Sequence, residues 1–371
     1  MINFDNAATT KISKASLDAY IKASDVFFNS SANYLEGTKA KAIIDNARSF
    51  FINYFKGKPQ STFIFTGCAT ESNNAVLNAC ITRKDKKYLI SAGEHSSIHN
   101  TAKHYQELGY NIKFIPLLKN GSIDINALTN ELDETVQFVS VIHVSNETGA
   151  INDIKQITKL VKEYNKNIIV HSDGVQAVGK VNINLKDLDI DYYTVSAHKI
   201  NGPKGIGALY IANPNKFKPF MLGGGQEMGY RAGTENIPAI SAFQTTLKEI
   251  SSYDYANHKK SLLENIDVDY ICVSNDNCVD NIISLCFKGV RGETIQHMME
   301  TKGFIIGTGS ACNSKTPTNR VIAQLVDKNY IEGAIRISFD KEVSIDDCAN
   351  LGIELTNAVK TYRERINKWK K

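Results

Sequence analysis

Short apolar segments alternate with amphipathic segments between about residues 60 and 210, and this alternation limits the possible folds more than any other feature of the chain. The apolar segments are rich in β-branched residues, and the stretches 70–81 and 153–165 between them have the spacing of helices. Continuous apolar strands separated by helices are typical of βαβ units, whose sheet is buried on both faces. The predicted strands are STFIF (61–65), KYLIS (87–91), NIKFI (111–115), VQFVSVIHV (136–144), NIIVHS (167–172) and YYTVSA (192–197).

The pattern changes after about residue 245, and a chain of 371 residues is longer than one hydrophobic core usually serves. We therefore predict an α/β protein in which residues 15–245 form a large domain with a mainly parallel, helix-covered sheet. Residues 1–14 and 246–371 are predicted to form a smaller α+β domain. Its expected elements are strands at 268–274, 282–287, 304–308 and 334–339 and helices at 291–302 and 344–366.

Composition excludes several classes of function. The net charge of +4 is too small and too dispersed to indicate a nucleic-acid partner. No apolar run has the length of a membrane span, and the N-terminus lacks the apolar core of a signal peptide. The seven cysteines include no CxxC pair, which argues against a disulfide framework or a metal site and favours the reducing cytoplasm. The basic stretch 360–371 is predicted to be a solvated helix face rather than a docking tail for an acidic partner.

Functional side chains follow five of the predicted strands, at the point where each strand ends. Ligands of open α/β sheets bind beyond the carboxyl ends of the strands. Each of these residues alone has an ordinary structural explanation, such as a helix cap or a turn. Five such strand ends together indicate one binding site. The residues are the turn 67–71, which opens a helix; His95; Asn146; Asp173 with Gln176; and Ser196, His198 and Lys199.

One cofactor, pyridoxal phosphate, would use this whole set. It requires a lysine amine for a Schiff base and a carboxylate that keeps the pyridine nitrogen protonated. It also requires a donor to the ring oxygen, an aromatic cover for the ring and a helix N-terminus for the phosphate. The residues with these chemistries are, in the same order, Lys199, Asp173, Gln176, His95 and the turn 67–71.

The motifs resemble those of the cysteine desulfurases, pyridoxal-phosphate enzymes of the class V aminotransferase group. The resemblance extends in order along essentially the whole chain. One departure is HSDGVQ (171–176), which has Gly-Val where Ala-Ala is common in the family. The motifs are INFDNAATT (2–10), ATESNN (69–74), EH (94–95), HSDGVQAVGK (171–180), SAHKINGPKGIGALY (196–210), GGGQEMGYRAGTEN (223–236) and GSAC (309–312).

The resemblance implies a role for each matching residue. Lys199 would anchor the cofactor and move the Cα proton, and Cys312 would receive sulfur. Arg336 and Asn146 would bind the substrate carboxylate. Asp173, Gln176 and His95 would hold the ring of the cofactor. The phosphate would be bound by Ala69, Thr70, Ser196 and His198. In a homodimer, Thr234 of the partner subunit would also bind the phosphate.

The resemblance also implies the activity: conversion of L-cysteine to L-alanine, with the sulfur passing to Cys312 as a persulfide. From there it would go to an acceptor protein, either an iron–sulfur scaffold or a sulfur carrier that serves tRNA thiolation. Two alternatives stay open. A selenocysteine lyase or another class V enzyme would make Cys312 incidental, and a non-catalytic module would be expected to lack Lys199 or Asp173, which are both present.

Overall fold

The computed structural model of the protein describes residues 1–308 and 321–369, and it contains two β-sheets. The mixed α/β architecture agrees with the fold class predicted from the sequence. The strands within the described residues are β1 (Ile2–Phe4), β2 (Thr62–Thr66), β3 (Lys87–Ser91), β4 (Asn111–Ile115), β5 (Val136–Ser140), β6 (Ile169–Asp173), β7 (Tyr192–Ser196), β8 (Gly207–Ile211), β9 (Tyr270–Cys272), β10 (Ile282–Phe287), β11 (Phe304–Thr308) and β12 (Ala334–Ser338).

Thirteen α-helices accompany these strands in the part of the chain that the structure describes. Helices 69–80, 154–164, 292–301 and 345–369 fall where the sequence pattern predicts them. The helices are α1 (Lys14–Ser24), α2 (Leu35–Tyr54), α3 (Ala69–Cys80), α4 (Ser96–Glu107), α5 (Ile125–Glu131), α6 (Ile154–Tyr164), α7 (Leu185–Leu188), α8 (Ile237–Glu249), α9 (Ala256–Glu264), α10 (Gly292–Thr301), α11 (Ile322–Leu325), α12 (Lys328–Ile331) and α13 (Ile345–Trp369).

The larger sheet has the strand order β2-β8-β7-β6-β5-β3-β4 and is parallel except for β8. Successive side chains of a strand point to opposite faces, and both faces of this sheet are covered. In β2, for example, Phe63 and Phe65 pack in the core that includes α2, α6 and α8, whereas Ile64 packs in the core that includes α3 and α4. The prediction of a buried, mainly parallel sheet is confirmed.

The predicted strand 136–144 is too long, because β5 ends at Ser140. Beyond that point the chain leaves β3 but stays hydrogen-bonded to β6. The backbone N of Val141 donates to the carbonyl O of His171, and that of His143 donates to the carbonyl O of Asp173, at 3.1 and 2.9 Å. The apolar run therefore continues past the strand because its residues stay buried, although β3 no longer pairs with them.

The smaller sheet has the order β1-β11-β12-β10-β9, and β1 pairs with β11 in parallel. Helices α9, α10 and α13 contribute to its core, which includes Phe4, Leu262, Met299 and Leu351. The N-terminal strand thus lies in the sheet that the C-terminal part of the chain builds. The domain bounds 15–245 and 1–14 with 246–371 stay a prediction. No helix among the described residues is apolar over enough of its length to cross a membrane.

Candidate active site

Lys199 lies at the carboxyl end of the larger sheet, in a 3₁₀ turn (Ala197–Lys199) that follows β7 directly. Its Nζ donates hydrogen bonds to the carbonyl oxygens of Ala7 and Ala8, at 2.8 and 2.7 Å. The segment after β1 therefore crosses the lysine. Thr10 holds this segment in place, because its backbone N donates to the carbonyl O of His198 at 2.9 Å.

The surroundings of Lys199 favour its uncharged form. Burial lowers the pKa of the Lys199 amine to about 8, and the positive charge of Arg336 acts in the same direction. The carboxylates of Asp5 and Asp173 oppose this effect. An amine with a pKa near 8 can take up and release a proton near neutral pH.

Asp173 is the last residue of β6 and is almost completely buried. Its Oδ1 accepts a hydrogen bond from the backbone N of Val175 at 3.0 Å. Its Oδ2 accepts one from Nδ2 of Asn73 at 2.8 Å. Both partners are uncharged donors, so the negative charge of Asp173 is available to a cationic group of a ligand.

His95 is the N-cap residue of α4, and its Nδ1 accepts a hydrogen bond from the backbone N of Ser97 at 3.2 Å. His95 acts electrostatically on a second histidine, His198. Burial is the main cause that lowers the pKa of His198 to about 4, and Lys199, Lys204 and His95 contribute in that order. His198 is therefore uncharged at neutral pH, and its Nδ1 lies 3.2 Å from Oγ1 of Thr9.

The start of α3 provides a binding site for an anion. Ala69 and Thr70 begin this helix, and no side-chain hydrogen bond from the described residues caps it. Backbone N–H groups at such a helix start attract anions. Ser196 lies close by, because Gly207 is the register partner of Ser196 and a Cβ on Gly207 would lie only 2.9 Å from the backbone N of Ala69.

Arg336 lies in β12 of the smaller sheet and is buried, with its guanidinium directed toward the same site. Nη1 donates to the carbonyl O of Asn146 at 2.9 Å, and Nη2 donates to Oδ1 of Asp5 at 2.7 Å. Nε has no hydrogen-bond partner within residues 1–308 and 321–369. A buried guanidinium with a free N–H is suited to a carboxylate ligand.

Gln176 is joined to Lys199 through one shared acceptor. Its Nε2 donates to the carbonyl O of Ala7 at 2.9 Å, the same atom that Lys199 contacts. Its Oε1 accepts from Nζ of Lys180 at 3.0 Å. Burial and the nearby charge of Lys199 lower the pKa of Lys180 to about 7.

The described contacts do not bring one of the residues predicted for the site to it. Thr234 is exposed, and none of the described contacts joins it to the other site residues. Cys312 lies outside the described residues. The geometry thus brings together Lys199, Asp173, Gln176, His95, Ala69, Thr70, Asn146, Ser196, His198 and Arg336.

Comparisons with known proteins agree with this geometry. The family model "Aminotransferase class-V" matches residues 2–351. The chain belongs to the class-V aminotransferase family. This class-V aminotransferase is 31% identical to a cysteine desulfurase of Nostoc sp. over 364 residues, which cover 93% of this chain and 90% of the relative.

Solved structures resemble this class-V aminotransferase over nearly their whole length. A NifS-like protein has a TM-score of 0.88 at 28% identity, with 97% of this chain and 99% of that chain covered. SspA, solved in complex with cysteine, has a TM-score of 0.81 at 27% identity, with 91% and 99% covered. The fold of a NifS-like enzyme is therefore shared.

Class-V aminotransferases depend on pyridoxal phosphate, which is the cofactor of this chain. The residues of the site fit this molecule. Lys199 supplies an amine that loses its proton readily, and Asp173 supplies a buried carboxylate whose partners are uncharged. The uncapped start of α3 supplies backbone N–H groups for a phosphate.

The sequence analysis missed three residues that contact the site. Asp5 pairs with Arg336, Asn73 bonds Asp173, and Lys180 bonds Gln176. All three lie inside motifs that resemble the family, in INFDNAATT, ATESNN and HSDGVQAVGK. The sequence gives no signal for their roles, because each contact joins side chains whose directions depend on the folded backbone.

Gly174 stands where the family commonly has alanine, and the ring of Tyr193 in the neighbouring strand packs directly against it. A Cβ on Gly174 would lie 2.0 Å from two ring atoms of Tyr193. Tyr193 is completely buried, and its Oη lies 2.7 Å from Nδ1 of His143, so a displacement of the ring would disturb this contact. The tyrosine fills the space that an alanine methyl group would need.

Gly174→Ala is expected to lower the free energy of unfolding by about 2 kcal/mol or more, because overpacked cores lose about that much. Thermal unfolding of the protein with and without cofactor measures the loss. Gly225→Ala is the control, because a Cβ there would meet nothing within 4 Å. Adding Tyr193→Leu to Gly174→Ala should recover part of the stability. Equal melting temperatures for Gly174→Ala and the parent protein would contradict the steric conflict.

Proposed function

We propose that the protein is a pyridoxal-phosphate-dependent cysteine desulfurase, which converts L-cysteine to L-alanine and transfers the sulfur to Cys312 as a persulfide. The observation that carries the proposal is the buried Arg336, whose charge acts on Lys199 and whose Nε, unpartnered among the described residues, can bind a substrate carboxylate. A substrate that uses both the guanidinium of Arg336 and the amine of Lys199 is an amino acid, which has a carboxylate and a Cα proton. The similarity to a protein named cysteine desulfurase over 93% of the chain supports cysteine as that amino acid.

The cofactor would be held by residues from four strand ends. Bound pyridoxal phosphate supplies a positively charged ring that accepts the electrons of a bond broken at the Cα of an amino acid. Asp173 balances that charge at the ring nitrogen, and His95 covers the ring. Lys199 anchors the cofactor, Gln176 donates to the ring oxygen, and Ala69, Thr70, Ser196 and His198 bind the phosphate.

Arg336 and Asn146 orient the substrate. Nη1 of Arg336 is fixed by the carbonyl O of Asn146, which leaves Nε and the remaining N–H groups for the carboxylate of L-cysteine. Two parallel hydrogen bonds from a guanidinium fix both the position and the rotation of a carboxylate. The Cα–H bond is thereby held at a constant angle to the lysine.

Lys199 moves the proton. Its pKa of about 8 leaves part of the amine uncharged near neutral pH. The uncharged amine can remove the proton from Cα, and the resulting ammonium group can return it. The carbonyl oxygens of Ala7 and Ala8 lie 2.8 and 2.7 Å from Nζ and stabilise the ammonium form between the two steps.

Cys312 receives the sulfur. Its thiolate would form an S–S bond to the sulfur of the substrate as the Cβ–S bond breaks, because thiolates are the competent nucleophiles of cysteine. The electron pair of the Cβ–S bond would stay on Cβ, which takes up a proton and becomes the methyl group of alanine. Burial raises the pKa of the thiols of Cys80, Cys278, Cys286 and Cys348, which keeps them protonated and inert. Cys68 is exposed and adjacent to the start of α3, and it is therefore the cysteine that an experiment has to separate from Cys312.

A homodimer completes the site in this proposal. Large apolar side chains are exposed at Phe27, Leu35 and Leu222, which are 80%, 69% and 81% accessible. Exposed apolar side chains of this size favour a protein interface. Ser30 bonds Glu235 at 2.8 Å, so the segment that carries Phe27 contacts the segment of Thr234. Thr234 of the partner subunit would then reach the phosphate.

The sulfur acceptor is proposed to be another cytoplasmic protein, an iron–sulfur scaffold or a sulfur carrier. The test of the proposed function begins with the purified protein, which should be yellow with pyridoxal phosphate, and borohydride should attach the cofactor to Lys199. Amino-acid analysis should then show alanine from L-cysteine. Alanine from L-selenocysteine alone would indicate a selenocysteine lyase, and bound cofactor without any product would indicate a non-catalytic module.

Arg336→Ala is expected to raise the KM for L-cysteine by about a hundredfold, since a hydrogen bond to a charged group contributes about 1.5–3 kcal/mol. Arg336→Lys should recover only part of the loss, because an ammonium group lacks the planar fork of a guanidinium. Saturation curves give the result. An unchanged KM would assign the carboxylate to another arginine, either Arg291 or Arg231, although Arg231 pairs with Glu71 at 2.8 Å.

A further inference from the structure

The side chain of Asn73 uses both hydrogens of its amide within the active site. Asn73 lies in the first half of α3 and is completely buried. Its Nδ2 donates to Oδ2 of Asp173 at 2.8 Å and to Oγ of Ser97 at 2.9 Å. One amide group thus contacts both the carboxylate at the end of β6 and the first turn of α4.

The orientation of this amide is determined by its partners. An ionised carboxylate only accepts hydrogen bonds, so the nitrogen of Asn73 has to face Asp173. Oδ1 of Asn73 has no partner among the residues that the structure describes. A buried carbonyl oxygen without a partner lowers the free energy of unfolding. The orientation of the amide is retained despite this loss, because it places the nitrogen beside Asp173.

The same amide supports the state of His95 through the hydroxyl group of Ser97. The backbone N of Ser97 lies 3.2 Å from Nδ1 of His95, and a backbone N–H can only donate. Nδ1 is therefore an acceptor, and the ring hydrogen is on Nε2. Oγ of Ser97 lies 2.9 Å from the same Nδ1. Because Asn73 donates to this oxygen, the hydroxyl hydrogen of Ser97 is directed to the ring.

We infer that Asn73 is a positioning residue that fixes the Asp173 carboxylate and, through the hydroxyl group of Ser97, favours the Nε2–H form of His95. The inference deepens the proposed function and rests on it in one respect, namely that Asp173 and His95 face the cofactor ring. Asp173 ends one strand and His95 follows another, yet both are linked to the side-chain amide of Asn73, Asp173 directly and His95 through Ser97. His95 presents a hydrogen-bond donor, rather than an acceptor, to the ligands in the site.

Three variants separate the two branches of this arrangement. Asn73→Leu keeps the branched shape of asparagine and Asn73→Ala removes the amide, and in neither variant can the side chain donate a hydrogen bond. Ser97→Ala removes only the branch to His95. Asn78→Ala is the control, because Asn78 lies on the same helix, is exposed and contacts Tyr105 instead of the site.

The full-length protein is labelled with ¹⁵N-histidine, and nitrogen NMR with and without cofactor reports the tautomer of His95. The signal of His95 is identified by its loss in the His95→Gln variant. Both Asn73 variants and Ser97→Ala should shift the tautomer ratio by about fivefold toward the Nδ1–H form. Titration with pyridoxal phosphate should show affinity about tenfold weaker in both Asn73 variants and within about twofold of the parent in Ser97→Ala. Asn78→Ala should change neither quantity.

An unchanged tautomer ratio in folded Asn73→Ala or Asn73→Leu would overturn the inference, and so would equal cofactor affinity in the Asn73 variants and the parent. Loss of thermal stability with neither change would mean that Asn73 has only a structural role. The proposed function fails separately. A protein that binds pyridoxal phosphate and shows the tautomer shifts, but forms no alanine from L-cysteine, contradicts the desulfurase assignment and supports the role of Asn73.

Discussion

Asp173→Asn is expected to reduce turnover of L-cysteine at least about a hundredfold while the protein still folds and binds its cofactor. The amide is uncharged and cannot hold a proton on the pyridine nitrogen, so the ring no longer accepts electrons effectively. The substitution should also lower the free energy of unfolding, because both carboxylate oxygens of Asp173 accept hydrogen bonds, one from Val175 and one from Asn73. An asparagine has one acceptor oxygen, and one of these donors loses its partner.

Asp191→Asn is the matched control for this variant. Asp191 precedes β7, and its Oδ2 accepts hydrogen bonds from the backbone N of Val170 at 2.8 Å and from Lys162 at 2.6 Å. It therefore loses similar hydrogen bonds outside the site. Steady-state alanine formation and thermal unfolding are compared for both variants. Turnover near that of the parent in Asp173→Asn would rule out the assigned role of Asp173.

The strand ends of the larger sheet were predictable because buried strands and their first polar residues are local features of the sequence. Lys199 and Asp173 each lie within a few residues of the end of an apolar run, and the structure places both at one edge of the sheet. The parallel order of the strands then brings distant segments together. The sequence pattern was therefore sufficient for the residues that the sheet itself positions.

Contacts between side chains of different elements were not predictable. Asn73 contacts Asp173 across a sequence separation of 100 residues, and Arg336 contacts Asp5 across 331. Nothing in the local pattern of α3 distinguishes Asn73 from Asn74, which contacts the carbonyl O of Thr70 instead. The compensation between Gly174 and Tyr193 has the same origin, because it depends on the packing of β6 against β7.

The prediction with the largest expected effect concerns Cys312. Cys312→Ser is expected to bind pyridoxal phosphate, to change its absorption spectrum when L-cysteine is added, and to form almost no persulfide and no alanine. Lys199, Asp173 and Arg336 bind the substrate and move its proton without any thiol. The thiol is needed only when sulfur leaves Cβ, and a serine oxygen is a far poorer nucleophile toward sulfur than a thiolate.

Mass spectrometry of peptides from the L-cysteine-treated protein decides this prediction, because a persulfide adds about 32 Da to the cysteine that carries it. The parent protein should carry this mass on Cys312.

Cys68→Ser is the most demanding control, because Cys68 is exposed at the start of α3, whereas Cys80, Cys278, Cys286 and Cys348 are buried. Cys68→Ser should keep the parent rate of alanine formation. Added mass on Cys68, or alanine released by Cys312→Ser at the parent rate, would show that sulfur leaves the substrate by another route. Since Cys312 is the one residue of the proposal whose chemistry no other class V reaction needs, this result separates a desulfurase from the other enzymes that share the fold.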